Sequence, residues 1–218
     1  MQVKICGITS VEQGCAIAGL GATALGYICV KKSPRYISPQ TIAPIVMAVS
    51  DEWPDVQHFG VFADASLLSI LDIVKQVGLT TVQLHGDETA ATCHLLRDAL
   101  KESGLPKVKL VKAFRIQSAE DLEAVQSYEP YVDALLLDAY HPDQLGGTGK
   151  TLDWQTLQKF SPGRPWFLAG GLTPENVQTA LAQISPNGID LSSGVERSPG
   201  DKELEKVRSL FEQIKPLV

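Results

Sequence analysis

Short apolar segments alternate with segments of helical periodicity along the whole chain. Eight of the apolar segments predict β-strands, at residues 3–6, 24–30, 57–62, 81–85, 108–113, 134–138, 165–169 and 188–191. A Ser, Thr or Asp residue, of the kinds that cap helices, precedes each helical segment. The predicted helices therefore begin near residues 9, 38, 66, 87, 118, 153, 173 and 201. The 218 residues thus contain eight strand–helix units with none left over.

Strict alternation of strands and helices predicts a parallel sheet with right-handed crossovers. Residues 134–138 (ALLLD) are nearly all apolar, which is typical of a strand buried on both faces. Two architectures fit the alternation of strands and helices. One is a closed eight-stranded barrel, which has no sheet edges, and the other is a doubly wound open sheet. The sequence has no GxGxxG motif after the first strand, which weakens the dinucleotide-binding form of that alternative. We predict an α/β fold, a single (β/α)8 TIM barrel domain spanning residues 1–218.

Composition excludes several classes of partner. The formal net charge of −6 argues against nucleic acid and against an anionic membrane surface. No apolar run approaches 18 residues, and the first residues do not form a signal peptide. The four cysteines lie far apart without CxxC spacing, which disfavours zinc and indicates free thiols in a reducing compartment. We expect a cytoplasmic protein that has no metal site and no obligate protein partner.

Two glycine-rich segments follow the last two predicted strands, LAGGL at residues 168–172 and GIDLSSGVE at residues 188–196. Gly170, Gly171 and Gly194 leave backbone N–H groups uncovered, and Ser192 and Ser193 add hydroxyl donors. Such donors suit a phosphate group, and TIM barrels often bind phosphate after strands seven and eight. Ordinary turns that need glycine for tight geometry are the alternative. The pattern predicts a phosphorylated small-molecule substrate.

Three residues at the C-terminal ends of strands are candidates for catalysis or binding, because TIM barrels place their active sites there. Asp138 ends the sixth strand, and a carboxyl group that follows four apolar residues is costly to bury unless it is paired or used. Cys6 ends the first strand. Arg35 lies in the polar loop after the second strand, where a guanidinium can bind a carboxylate. A capping aspartate, a core cysteine and a solvated arginine are the alternative interpretations.

Other polar residues lie close to these candidates. Lys4 shares a strand face with Cys6, so its ammonium is expected to lie near an anionic substrate and to lower the pKa of the thiol. His85 follows the fourth strand and is interpreted as a structural hydrogen-bonding group. Asp190 is expected to orient the second glycine-rich segment rather than to act as an acid.

Seven motifs occur in one register along the chain: KICGIT at residues 4–9, SPRYI at 33–37, VQLHG at 82–86, LD at 137–138, GGTG at 146–149, AGGL at 169–172 and GIDLSSGVE at 188–196. Together they resemble the phosphoribosylanthranilate isomerase family of tryptophan biosynthesis. The resemblance implies a (β/α)8 barrel without metal or organic cofactor. It implies an Amadori rearrangement of N-(5-phosphoribosyl)anthranilate to 1-(2-carboxyphenylamino)-1-deoxyribulose 5-phosphate.

The resemblance also assigns roles to the candidates. It implies Cys6 as general base, Asp138 as general acid, Arg35 as the residue that binds the anthranilate carboxylate, and the two glycine-rich segments as the phosphate site. The sequence departs from the family at Cys29, where an aromatic residue is expected, and at residues 201–203. Neither departure is expected to touch a catalytic group.

Two other functions remain open from the residues alone. One is another phosphosugar isomerase or epimerase, and the other is a non-catalytic barrel that only binds a phosphorylated ligand. The presence of both Cys6 and Asp138 argues against the non-catalytic alternative.

Overall fold

The computed structural model describes residues 1–116, 118–139 and 154–215, and it confirms the predicted (β/α)8 barrel. Eight parallel strands close in chain order, because β8 pairs with β1 as well as with β7. The strands are β1 (Gln2–Cys6), β2 (Ala24–Ile28), β3 (Gln57–Phe62), β4 (Thr81–Leu84), β5 (Lys109–Ile116), β6 (Ala134–Ala139), β7 (Trp166–Leu168) and β8 (Gly188–Leu191).

Helices connect the barrel strands. They are α1 (Val11–Gly19), α2 (Pro39–Glu52), α3 (Leu67–Val77), α4 (Ala90–Glu102), α5 (Ala119–Val125), α6 (Trp154–Leu157), α7 (Val177–Leu181) and α8 (Leu204–Ile214). The serine hydroxyls predicted to begin helices at residues 38 and 66 cap α2 and α3 by accepting backbone N–H groups. The GGTG motif at residues 146–149 and the predicted helix start at residue 153 lie outside the described residues.

Side chains inside the barrel form a cluster separate from the side chains between the barrel and the helices. On β6, Ala134 and Leu136 belong to the inner cluster, whereas Leu135 and Leu137 pack in the outer one. Asp138 continues the inward-facing series and is buried. The alternation of side chains along β6 thus places the carboxyl group of Asp138 inside the barrel, near the C-terminal ends of the strands.

Helix α4 begins three residues later than predicted. The residues before it are bound to the preceding loop instead, because the Glu88 carboxylate accepts the N–H groups of Asp64 and Gly86. The hydroxyl of Thr89 then caps the helix. A long-range contact to a neighbouring loop, which local sequence does not reveal, sets this boundary.

Helix α7 also begins late, at Val177 instead of near Thr173. The Thr173 carbonyl accepts the N–H groups of Asn176 and Val177, and the Asn176 side chain accepts the Thr173 N–H at 2.8 Å. This closed turn uses the Thr-Pro sequence that was expected to open the helix.

A two-stranded antiparallel hairpin replaces the first turn of the predicted last helix. Its strands are β9 (Glu196–Ser198) and β10 (Asp201–Lys202), and α8 begins only at Leu204. These strands are short and polar, so the hydrophobic pattern does not indicate them. The hairpin directly follows the second glycine-rich segment and brings Glu196 and Lys202 to the mouth of the barrel.

A buried polar chain links α2 to the barrel. His58 on β3 is only 1% exposed, and its Nδ1 lies 2.8 Å from the Tyr27 hydroxyl. Its Nε2 lies 3.0 Å from the Ser50 hydroxyl. Burial lowers the pKa of His58 from 6.5 to about 4. The folded protein therefore holds this imidazole in its neutral form.

We expect His58 to make the protein less stable as the pH falls from about 6.5 to about 4, because the unfolded chain then binds a proton that the folded chain rejects. The shift corresponds to a loss of about 3 kcal/mol across that interval and to no loss above it. Denaturant unfolding at several pH values measures the effect. His58→Gln is expected to make the free energy of unfolding depend less steeply on pH between about 4 and 6.5. His94→Gln, on the exposed face of α4, should leave that pH dependence unchanged. A slope that is identical in wild type and His58→Gln contradicts this assignment.

Candidate active site

One pocket opens at the C-terminal ends of the barrel strands. Seven of the nine predicted site residues line it, and they come from strands and loops distributed around the barrel. They are Cys6, Arg35, Asp138, Gly170, Gly171, Ser192 and Ser193. Lys4 and Gly194 do not line the pocket, and each has a different place in the structure.

Cys6 reaches the pocket from the end of β1. Gly26 is its register partner on β2, and a Cβ atom at that position would lie 2.6 Å from the thiol sulfur. The glycine therefore makes room for the thiol. Burial raises the pKa of Cys6, and the charges of Lys4 and Lys202 only partly oppose this shift. The expectation that Lys4 lowers the pKa below its usual value is therefore corrected, because desolvation outweighs the nearby charge.

Lys4 lies beneath the pocket. Its side chain is fully buried, and its ammonium donates a hydrogen bond of 2.8 Å to Asp190, its register partner on β8. It also lies 5.4 Å from the centre of the Phe59 ring. Burial acts to lower the pKa of Lys4, but the attraction of Asp190 outweighs burial and the net shift is upward. The predicted contact between Lys4 and the substrate does not follow from this arrangement. The Asp190 carboxylate accepts its hydrogen bond from Lys4, whereas the sequence predicts that it orients the second glycine-rich segment.

Asp138 reaches the same pocket from β6, three strands away from β1 around the barrel. Its Oδ2 lies 3.3 Å from Nε2 of His85. The other ring nitrogen, Nδ1, lies 3.0 Å from the amide nitrogen of Gln83. If that amide donates, then Nδ1 accepts, and the proton of a neutral imidazole sits on Nε2, facing Asp138. His85 therefore lies beside the carboxyl group, at ion-pair distance from Oδ2.

The glycine-rich segments form one wall of the pocket. Gly170 and Gly171 have φ values of 86° and 64°, in the left-handed region that favours glycine. Ser192 donates its hydroxyl hydrogen to the Cys6 carbonyl at 3.0 Å. The ammonium of Lys202 lies 3.2 Å from the Ser192 carbonyl and 3.3 Å from its hydroxyl. The sequence predicts that residues 201–203 touch no catalytic group, and the hydrogen bonds of Lys202 go instead to Ser192 and Glu196.

Gly194 supports the two segments from outside the pocket. A Cβ atom at this position would clash directly with the backbone carbonyl of Leu172, which follows the first glycine-rich turn. The two segments thus pack backbone to backbone. Gly194 is required by this close approach, and it contributes no surface to the pocket lining.

We expect Gly194→Ala to displace the loop after β8, lower the free energy of unfolding by about 1–3 kcal/mol and weaken the binding of inorganic phosphate. Thermal unfolding and phosphate inhibition measure the two effects. Ser193→Ala removes a donor without a backbone clash, so it should weaken phosphate inhibition and leave stability nearly unchanged. Unchanged stability of Gly194→Ala would show that the close packing with Leu172 is not required.

Arg35 carries a bidentate ion pair at the rim of the pocket. Its Nε lies 2.9 Å from Oε1 of Glu196, and its Nη2 lies 2.7 Å from Oε2. Lys202 donates to Oε1 of the same carboxylate at 2.6 Å. Burial acts to raise the pKa of Glu196, but the hydrogen bonds from Arg35 and the charge of Lys202 outweigh it, so the net shift is downward. Glu196 stands within the GIDLSSGVE motif, yet its role depends on a partner 161 residues away.

The described residues contain no group of three or more His, Cys, Asp or Glu side chains placed to hold a metal ion. Nor do the described ranges contain a helix with the length and apolar character needed to cross a membrane. All four cysteines are free thiols. The pocket itself is lined by the thiol of Cys6, the carboxyl group of Asp138, the imidazole of His85 and the guanidinium of Arg35.

The family model for N-(5'-phosphoribosyl)anthranilate (PRA) isomerase matches residues 3–213. The chain belongs to this family. An N-(5'-phosphoribosyl)anthranilate isomerase of Nostoc punctiforme is 58% identical over 214 residues, covering 98% of each chain. Family membership confirms the isomerase function in tryptophan biosynthesis that the seven motifs implied.

Solved structures of PRA isomerases have the same fold. The phosphoribosyl anthranilate isomerase of Thermotoga maritima is 34% identical, with a TM-score of 0.88 and 99% of each chain covered. A second PRA isomerase structure, in complex with reduced 1-(o-carboxyphenylamino)-1-deoxyribulose 5-phosphate, is 31% identical, with a TM-score of 0.84 and 99% of each chain covered. That complex concerns a phosphorylated compound with a carboxyphenylamino group, which has an anion at each end.

Proposed function

We propose that this PRA isomerase uses Asp138 as general acid and Cys6 as general base in the Amadori rearrangement of N-(5-phosphoribosyl)anthranilate. One observation carries the assignment: the two side chains enter one pocket from strands three positions apart around the barrel. A substrate lying between them therefore has an acid on one side and a base on the other. Each group is buried, which favours direct proton transfer over exchange with solvent.

The acid acts first. The lone pair of the glycosidic nitrogen forms a C=N bond while the bond between C1 and the ring oxygen breaks, and Asp138 gives its proton to that oxygen. With Nε2 of His85 facing Oδ2, the proton belongs on Oδ1, the oxygen that His85 does not engage. His85 thereby directs the acidic proton toward the substrate. The product of this step is an open-chain iminium ion.

The base acts second. The iminium ion acidifies the proton on C2, and the thiolate of Cys6 removes it to give an enolamine, which tautomerises to the ketone. The raised pKa of Cys6 makes the thiolate the minor form in the free protein. Positive charge favours a thiolate, so the iminium ion adds to the effect of Lys4 and Lys202 once the substrate is bound.

The two ends of the substrate need different sites. We assign the phosphate to Gly170, Gly171, Ser192 and Ser193, which lie on one wall of the pocket. We assign the anthranilate carboxylate to Arg35, because Glu196 leaves its Nη1 group unused. Lys4 acts below the floor through Asp190 and Cys6, without direct contact with the substrate.

The experiment that tests this function is an assay of the purified chain with N-(5-phosphoribosyl)anthranilate, following the loss of its fluorescence without added metal or cofactor. Loss of fluorescence with formation of the ketose product supports the proposal. Tight binding without turnover would favour the non-catalytic phospholigand-binding alternative. We further propose that the chain acts in the cytoplasm as one domain without an obligate partner, which its free cysteines and net negative charge support.

A further inference from the structure

The Glu196 carboxylate accepts hydrogen bonds from three different residues. It begins β9, is only 7% exposed, and accepts from Arg35, from Lys202 and from the backbone N–H of Gly200, the last at 3.1 Å. Both carboxylate oxygens receive the guanidinium of Arg35, and Oε1 also receives the ammonium of Lys202. One buried carboxylate thus holds two cations that come from different parts of the chain.

The two cations are neighbours that share Oε1 of Glu196, and each contacts a different part of the proposed substrate site. Arg35 lines the pocket at the end assigned to the anthranilate carboxylate. Lys202 contacts the carbonyl and hydroxyl oxygens of Ser192, at the end assigned to the phosphate. The Ser192 hydroxyl in turn donates to the carbonyl of Cys6. A continuous set of polar contacts therefore runs from the carboxylate end, through Glu196, to the phosphate end and the base.

Stability alone does not account for this cluster. A buried ion pair contributes little net stability after desolvation, and a second buried cation adds a further desolvation cost. Two cations around one carboxylate carry a net positive charge of one, and they adjoin a pocket for a substrate with two anionic groups. The arrangement suits substrate binding better than it suits packing.

We propose that Glu196 is a positioning residue that holds the carboxylate-binding Arg35 and the phosphate-binding loop at Ser192 in one fixed arrangement, and so aligns both for the two anionic groups of a single substrate. The inference rests on the proposed function and deepens it. Glu196 touches no reacting atom. Its effect reaches the substrate only through the two cations that it holds.

Glu196→Gln tests the proposal, because glutamine keeps the size of the side chain and removes the charge. KM and kcat are measured with N-(5-phosphoribosyl)anthranilate, and inhibition constants with anthranilate and with inorganic phosphate as separate probes of the two ends. We expect both inhibition constants to rise by about tenfold and KM by about 10- to 100-fold, since charge-assisted hydrogen bonds at both ends are weakened. We expect kcat to change by less than about threefold, because binding is lost equally in ground and transition states.

Two variants serve as controls. Glu203→Gln makes the same chemical change at a partly exposed residue paired with Lys206, and it should leave all four constants unchanged. Ser193→Ala removes a donor from the phosphate end only, so it should raise the phosphate constant and not the anthranilate constant. A rise in both the phosphate and the anthranilate inhibition constants is then specific to the Glu196 variant.

The outcomes separate this inference from the proposed function. If the wild type does not turn over the substrate, the proposed function fails. If the wild type is active and folded Glu196→Gln changes only one inhibition constant, or neither, the positioning role is overturned. If Glu196→Gln does not fold, Glu196→Asp replaces it, because a side chain shorter by one methylene group does not reach both cations. A folded Glu196→Asp that raises both inhibition constants supports the proposal, and one that raises only one of them, or neither, overturns it.

Discussion

Replacing Asp138 with asparagine is expected to lower turnover by about 10²- to 10⁴-fold, the usual contribution of a general acid. An amide does not deliver a proton to the ring oxygen, although it has nearly the shape of the carboxyl group. The amide oxygen can take the place of Oδ2, which now lies 3.3 Å from Nε2 of His85, so the packing against the imidazole is kept. Substrate binding through Arg35 and the glycine-rich segments is retained, and KM should change much less than kcat.

Steady-state kinetics and circular dichroism of the purified variant measure these effects. Asp72→Asn is the matched control, because Asp72 is exposed on α3 and the same substitution there should change neither activity nor stability. Near-normal turnover by folded Asp138→Asn would remove Asp138 from the role of acid. A loss confined to KM would make it a binding residue instead.

The positions of Asp138 and Cys6 follow from local pattern. Each lies at the end of a strand, and the two-residue repeat of a strand determines which of its side chains point into the barrel. Parallel strands in a barrel then bring all their C-terminal ends to one rim. The two-residue repeat of each strand and the topology of the barrel are thus enough to place an acid and a base in the same pocket.

The partners of Arg35 do not follow from local pattern. Glu196 binds the guanidinium, and Lys202 binds Glu196, through a hairpin of short polar strands that lacks an apolar repeat. The contact also joins residues 161 positions apart, and the motif that contains Glu196 does not indicate which residue it binds. Sequence identified the loop that carries Arg35, whereas only the fold shows what holds the guanidinium in place.

The direction in which the pKa of Cys6 shifts also does not follow from the sequence. A lysine two residues away predicts a lower pKa for the thiol, and Lys4 does act in that direction. The sign of the net shift depends on burial and on Asp190, which is the register partner of Lys4 on another strand. Opposing contributions of this kind need the three-dimensional arrangement before their balance is known.

Replacing Cys6 with serine is expected to reduce turnover by about 10²- to 10⁴-fold, because a hydroxyl group is a far poorer base than a thiol near neutral pH. Serine is slightly smaller than cysteine, so it fits the space that Gly26 leaves for the thiol. The variant should fold and should still bind inorganic phosphate. Its defect is expected in kcat, and the rate should recover little as the pH is raised, since serine does not ionise in the accessible range.

Cys29→Ser is the decisive comparison, because Cys29 is the other thiol that follows a strand on this side of the barrel. Its neighbours Ile28 and Val30 line the pocket and Cys29 does not, as the alternation of an extended segment requires. Burial raises the pKa of Cys29 to about 12, and its thiol donates to the Tyr27 carbonyl at 3.8 Å. Cys29→Ser should therefore retain nearly full turnover, whereas Cys6→Ser loses it. The reverse result, an active Cys6→Ser and an inactive Cys29→Ser, would move the base from β1 to the end of β2.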